Sequence, residues 1–139
     1  MISQKAKYAL VALARAGRGE TKMIGEISRE QAIPKKFLEQ ILLELKRAGF
    51  VASRRGRAGG YELLKAPEQI MFGEVLRLID GPIAPLPCLS KIAYRKCEDC
   101  RDEASCEIRH VFERVTLATR AVLDQTTLAD SLRLEDLPV

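Results

Sequence analysis

At 139 residues the chain is long enough for one compact domain whose core stands without disulfides, and its 47% hydrophobic and 30% charged residues exclude a disordered chain. Aromatic residues are only 5% and Trp is absent, which leaves little base-stacking surface and argues against a reader of single strands or RNA. The net charge of +4 favours a polyanionic partner, and it is unevenly placed: Lys35 to Lys65 carries eight Lys/Arg against three Glu, whereas Cys97 to Glu113 sets six acids against Arg101 and Arg109.

Ser3 to Ala16 is rich in Ala and Leu, with Ala6, Leu10, Leu13 and Gly17 at helical spacing, and predicts a packed first helix that Gly17-Arg18-Gly19 ends. A short helix follows from about Met23 to Glu30, with Ile24 and Ile27 inward, and Gln31-Ala32-Ile33 is a tight connection. Pro34 fits the first turn of the next helix, where its missing N–H has no partner to lose. That helix runs to about Ala48 on an apolar stripe of Leu38, Ile41, Leu42 and Leu45, and Gly49 supplies a left-handed end. Two such helices joined by three or four residues have the dimensions of a helix-turn-helix.

The period then changes to that of two short strands, Phe50–Ser53 and Tyr61–Leu64, separated by the basic, glycine-rich tip Arg54-Arg55-Gly56-Arg57-Ala58-Gly59-Gly60. A helix-turn-helix followed at once by such a hairpin predicts a winged helix, closed by an amphipathic helix over Phe72–Ile79. Pro82 to Pro87 reads as a linker, and Cys88 to Cys106 leads into a long helix from about Ala104 to Leu123. On that helix Ile108, Val115 and Val122 recur every seven residues with Val111 and Ala118 between them, a seam for a second copy or for the chain's own domain. The expected class is mainly α with a small β-hairpin wing: a winged helix-turn-helix over 1–81, a cysteine-containing linker over 82–106, and a dimerisation helix with its tail over 104–139. No apolar run approaches the ~20 residues of a membrane span and no signal-peptide pattern is present, so a cytoplasmic location with reduced thiols is expected.

Duplex DNA rewards cations that neutralise phosphates, and an exposed helix face fits its major groove. Lys35, Lys36 and Gln40 on the second helix of the motif suit phosphates or base edges. Glu39 on the same face is either an ordinary solvated carboxylate or an acceptor for a specific base donor such as a cytosine amino group. Arg55 and Arg57 at the wing tip suit a minor groove, which the adjoining glycines let the backbone approach, and Arg54 beside them is a further DNA-binding candidate. The cysteines follow as Cys88-x8-Cys97-x2-Cys100-x5-Cys106, with His110 one helical turn beyond the last. Four thiolates suit either an iron–sulfur cluster (2Fe–2S or 4Fe–4S) or a structural zinc, and spacing alone does not choose. No phosphate loop, nucleophile–base set or acid–base pair is evident, so no enzyme activity is expected.

The stretches KAKYAL, FLEQILLELKRAGFVASRRGRAGGYELLK, FGEVLRLIDG and TTLAD resemble the IscR-like winged-helix transcription regulators, a family that includes iron–sulfur, redox, nitric-oxide, iron and cysteine-metabolism regulators. The resemblance covers nearly the whole chain. It implies a homodimer with crossed long helices on a pseudo-palindromic double-stranded operator, a base-reading role for Glu39 and minor-groove entry for Arg55. It also implies cluster ligation by Cys88, Cys100 and Cys106. Three features depart from the pattern: Cys97 is extra, the gap from Cys88 to Cys100 is longer than the usual one, and Arg109 stands where some relatives place a histidine ligand, with His110 one residue beyond. Cys97 is taken as the fourth ligand, with His110 as the alternative. The expected function is a regulator whose DNA affinity follows the cluster, the alternative being a DNA-binding protein whose cysteines hold zinc or act as reactive thiols.

Overall fold

A computed structural model describes residues 2–17, 23–54 and 60–133 of the chain. Helix α1 (Gln4–Ala16) starts at Ser3, whose Oγ accepts the Ala6 amide at 2.9 Å and satisfies one of the donors that a helix start leaves open. Its buried face is Ala6, Ala9, Ala12, Leu13 and Ala16, mostly small side chains that admit close neighbours; α3 (Lys35–Arg47) and α4 (Phe72–Asp80) pack there.

Helix α2 (Ile24–Gln31) ends at Ala32, which adopts φ 54° and ψ 40°, the left-handed region that costs a residue with a Cβ about 1–2 kcal/mol. The turn is held by the Ile33 amide donating to the Ser28 carbonyl at 3.0 Å and by burial of Ile33. Ala32→Gly is expected to raise stability by about 1 kcal/mol, seen as a higher Tm in thermal unfolding; an unchanged or lower Tm would mean that the turn carries no such strain. Pro34 stands one place earlier than expected. It is the cap of α3, and its carbonyl accepts the Leu38 amide at 3.0 Å.

In α3 the stripe Leu38, Ile41, Leu42 and Leu45 is wholly buried. The helix closes with Gly49 at φ 85°, where the Phe50 amide reaches the Leu45 carbonyl at 2.9 Å and the Gly49 amide that of Lys46 at 3.0 Å. This places Phe50 in the core and aims the chain into β1 (Val51–Arg54), antiparallel to β2 (Gly60–Leu63) with Val51 opposite Leu63 and Arg54 opposite Gly60. The expected wing tip, with Arg55 and Arg57, lies outside the described residues. Ile27, Leu38, Leu45, Val51, Ile70 and Val75 knit helices and hairpin into one core.

Beyond α4 the chain makes a short 3-10 turn over Pro87–Leu89 and then the long α5 (Glu107–Leu123). This helix begins three residues later than expected, because Cys106 acts as its cap. A further helix, α6 (Leu128–Leu132), was not expected. The Phe72 amide donates to the Thr126 carbonyl at 3.0 Å and the Leu128 amide to that of Ile70 at 2.8 Å, so the chain after α5 returns to the winged unit. Leu128 belongs to the main core. The tail expected to go with the long helix over 104–139 is thus, up to Arg133, packed as a structural part of the winged unit.

Candidate functional site

With its apolar stripe inward, α3 turns Lys35, Lys36, Glu39 and Gln40 outward, and all four are exposed. Helical spacing extends this outer row to Leu43 and Arg47, also exposed. Lys46 leans toward the hairpin, its Nζ donating to Ser53 Oγ at 2.8 Å. Arg54 is exposed at the end of β1, with its Nε 2.7 Å from Glu62 Oε1 across the ladder. An exposed surface, polar except for Leu43, thus runs from the outer face of α3 to the base of the wing.

The cysteine segment lies against the start of α5. Cys88 is buried in the 3-10 turn; Cys97, Cys100 and Cys106 are half-buried, and all four are free thiols. The Arg95 amide closes the first loop on the Pro87 carbonyl at 3.2 Å, and the Cys100 amide closes a turn on the Cys97 carbonyl at 3.1 Å. Cys106 Sγ accepts the Arg109 amide at 3.4 Å, so this sulfur sits at the positive end of α5. Burial, and then the charges of Cys88, Asp99, Cys100 and Cys106, push the Cys97 thiol up from its ordinary value.

Among the described residues, however, no three His, Cys, Asp or Glu side chains converge closely enough to hold a metal ion. The expected ligands share a neighbourhood without forming a coordination group. Cys106 is engaged as a helix cap, and His110 is exposed with Nε2 2.7 Å from the Ala104 carbonyl. Chemically the set still suits a thiolate-bound anionic cluster. Arg109 faces Cys88, and its Nε is buried without a hydrogen-bond partner, 4.0 Å from Glu103 Oε2. An unsatisfied cationic donor beside the sulfurs is what an added anionic group would need.

Helix α5 buries only Thr116 among its residues, while Ile108, Val111, Val115, Ala118 and Val122 are all exposed. Between α4, the linker and α5 lies an apolar groove of about 300 Å³ lined by Leu76, Ile83, Phe112, Val115 and Leu123.

Residues 2–133 match the model of the Rrf2 family, described as iron-dependent transcriptional regulators. The chain belongs to this family. A Rhodobacter capsulatus regulator described as rrf2-like and of helix-turn-helix type is 53% identical over 138 residues, covering 95% of this chain and 92% of the relative. The solved structure of CymR, the global cysteine regulator of Bacillus subtilis, superposes with a TM-score of 0.77 at 31% identity, covering 98% of both chains. That of T. potens IscR does so with 0.71 at 26% identity over 100% of this chain and 93% of the other. This Rrf2-family chain is a transcriptional regulator with a winged-helix DNA-binding fold, and its relatives are not enzymes. No helix among its described residues is long and apolar enough to cross a membrane.

Three residues at these sites escape a reading of sequence patterns. Leu43 looks like core by type, yet it is 42% exposed in the outer row of α3. Its position after Lys36, Glu39 and Gln40 at helical spacing was the available signal. Arg109 was singled out only for standing in a ligand's place, and neither its approach to Cys88 nor the grip of Arg120 on two carbonyls gave a signal, because these partners lie 21 or more positions away in the chain.

Proposed function

We propose that this Rrf2-family regulator is a homodimer that reads a pseudo-palindromic operator in double-stranded DNA and whose affinity is set by an iron–sulfur cluster on the cysteine segment. The observation that carries the DNA-reading half is the outward row of α3, whose opposite face is entirely buried and so holds the row fixed. Lys35, Lys36 and Arg54 meet phosphates. Glu39, Gln40 and Leu43 meet base edges, Leu43 being suited to a thymine methyl. Arg55 and Arg57 enter the minor groove. Lys36→Ala is expected to weaken all duplexes alike and to lower the salt slope by about 1, whereas Glu39→Ala relaxes discrimination at one or two base pairs by about 1–3 kcal/mol. Equal losses from Glu39→Ala on cognate and scrambled duplexes would count against base reading.

The sensing half rests on the neighbourhood of the four thiols beside the positive start of α5 and Arg109. Cys88, Cys100 and Cys106 would hold the cluster with Cys97 as fourth donor. Such a cluster would add sensitivity to iron supply, and a redox response beyond that of free thiols. The test is anaerobic reconstitution, followed by titration of a duplex selected from a random pool by the wild-type protein. The holo-protein, the apo-protein and a Cys88/Cys100/Cys106→Ala variant are expected to differ by roughly 5–150-fold at one salt concentration. A colourless protein with one zinc and equal affinity in every form would replace the sensor by a structural metal.

A further inference from the structure

The geometry points to Arg120 as the positioning residue that couples the cysteine segment to the DNA-reading unit, by clamping the carbonyls of Ile83 and Leu89 onto α5 beside the Arg77–Asp124 joint. Arg120 Nε donates to the Ile83 carbonyl and its second terminal nitrogen to the Leu89 carbonyl, both at 3.2 Å, from 37 and 31 positions further along the chain. Leu89 directly follows Cys88 in the buried 3-10 turn, and Ile83 lies in the stretch leaving α4. One guanidinium therefore spans the linker at both ends. Its planar fork suits this role, since two fixed donors meet two carbonyls without the rotational freedom of an ammonium.

One turn further along α5 the same helix is fastened to α4. Arg77 donates through both terminal nitrogens to the Asp124 carboxylate, at 2.6 and 2.8 Å. Hydrogen bonding from Arg77, reinforced by the nearby charges of Arg120 and Lys91, holds the Asp124 carboxyl below its ordinary range. Gly73, buried in the first turn of α4, leaves the room for this pair: a Cβ there would stand 2.0 Å from Asp124 Oδ1 and 2.8 Å from an Arg77 terminal nitrogen. Its backbone needs no left-handed conformation, so the missing side chain serves close approach. A rigid path thus runs from Cys88 through Leu89 and Arg120 to Asp124, Arg77 and α4, which packs on α1. A cysteine segment that changes state pulls on Leu89, and the clamp passes that displacement to the helix that sets the attitude of the winged unit.

This role rests on the cluster-dependent reading above, and the experiment separates the two. Arg120→Ala is compared with wild type and with Arg114→Ala, which removes one positive charge from an exposed site on the same helix. Operator affinity is measured for holo- and apo-forms on the selected duplex, with visible absorbance reporting cluster content. The expected result is a holo-to-apo ratio of roughly 5–150 in wild type and Arg114→Ala that falls to about 1 in Arg120→Ala at unchanged cluster absorbance. In the apo-protein, hydrogen exchange at the Leu89, Ser90 and Arg95 amides, which close the loop on Leu86 and Pro87, should quicken by about tenfold in Arg120→Ala alone. A wild-type ratio near 1 removes the switch and the coupling together. A wild-type-like ratio in Arg120→Ala keeps the switch and overturns the role of Arg120, as would unchanged exchange at those amides.

Discussion

Val115→Asp is expected to leave the protein monomeric and to weaken operator binding by roughly 10²–10⁴-fold, because two half-sites are then no longer engaged together. Val115 is 43% exposed in the single chain, so an aspartate there is solvated in the monomer and leaves the fold intact. It lies on the stripe with Ile108, Val111, Ala118 and Val122, and also lines the apolar groove beside the linker. In the proposed dimer a second α5 crosses this exposed apolar stripe and covers it. A carboxylate placed there must be dehydrated without a partner, at a cost that exceeds what one seam residue contributes. Sedimentation velocity checks the assembly and far-UV circular dichroism the fold. A variant that stays dimeric moves the interface away from α5, and a monomer that binds the selected duplex unchanged would mean that dimerisation is not part of recognition.

Stripe and groove also show how much the sequence alone discloses. The helices α1 to α4 are legible because each turns apolar positions to the core, so that Leu38, Ile41, Leu42 and Leu45 repeat at the period of the helix that carries them, and the hairpin by its change of period around a glycine-rich tip. The outward row of α3 follows by elimination, and the four cysteines are conspicuous by type. What spacing cannot supply is contact between segments remote in sequence. Arg120 and Leu89 are 31 positions apart, and Arg77 and Asp124 are 47. Both pairs look like ordinary surface charges until the chain is folded. The ligand set is legible as chemistry but not as geometry, since Cys106 and His110 have backbone partners that compete for them. Helix α6 is five residues long with two buried apolar positions, too short for periodicity to register. Its one local signal is the capping box from Thr127 to Asp130, where the Asp130 amide reaches Thr127 Oγ1 at 3.0 Å and the Thr127 amide reaches Asp130 Oδ2 at 2.9 Å.

That short helix carries the other large effect. Leu128→Ala is expected to lower unfolding stability by about 2–5 kcal/mol, the range for emptying a well-packed core position. Leu128 is 1% exposed and joins the cluster that contains Leu13, Ile70 and Val75. Its Cδ2 and Leu132 Cδ1 lie over Gly17, 3.4 and 3.3 Å from where a Cβ would be, so α6 seals the end of α1. The backbone adds to this, because the Thr126 carbonyl and the Leu128 amide pair with Phe72 and Ile70 at the start of α4. Losing the side chain loosens the strap that fixes α5 to the winged unit, so operator affinity should fall even where the protein remains folded. Urea unfolding at fixed protomer concentration measures the first effect, since assembly otherwise shifts the midpoint. Titration of the selected duplex well below that midpoint measures the second. A change within about 0.5 kcal/mol, the usual outcome for a surface position, would mean that the segment after α5 is a tail and that the reading unit is complete without it.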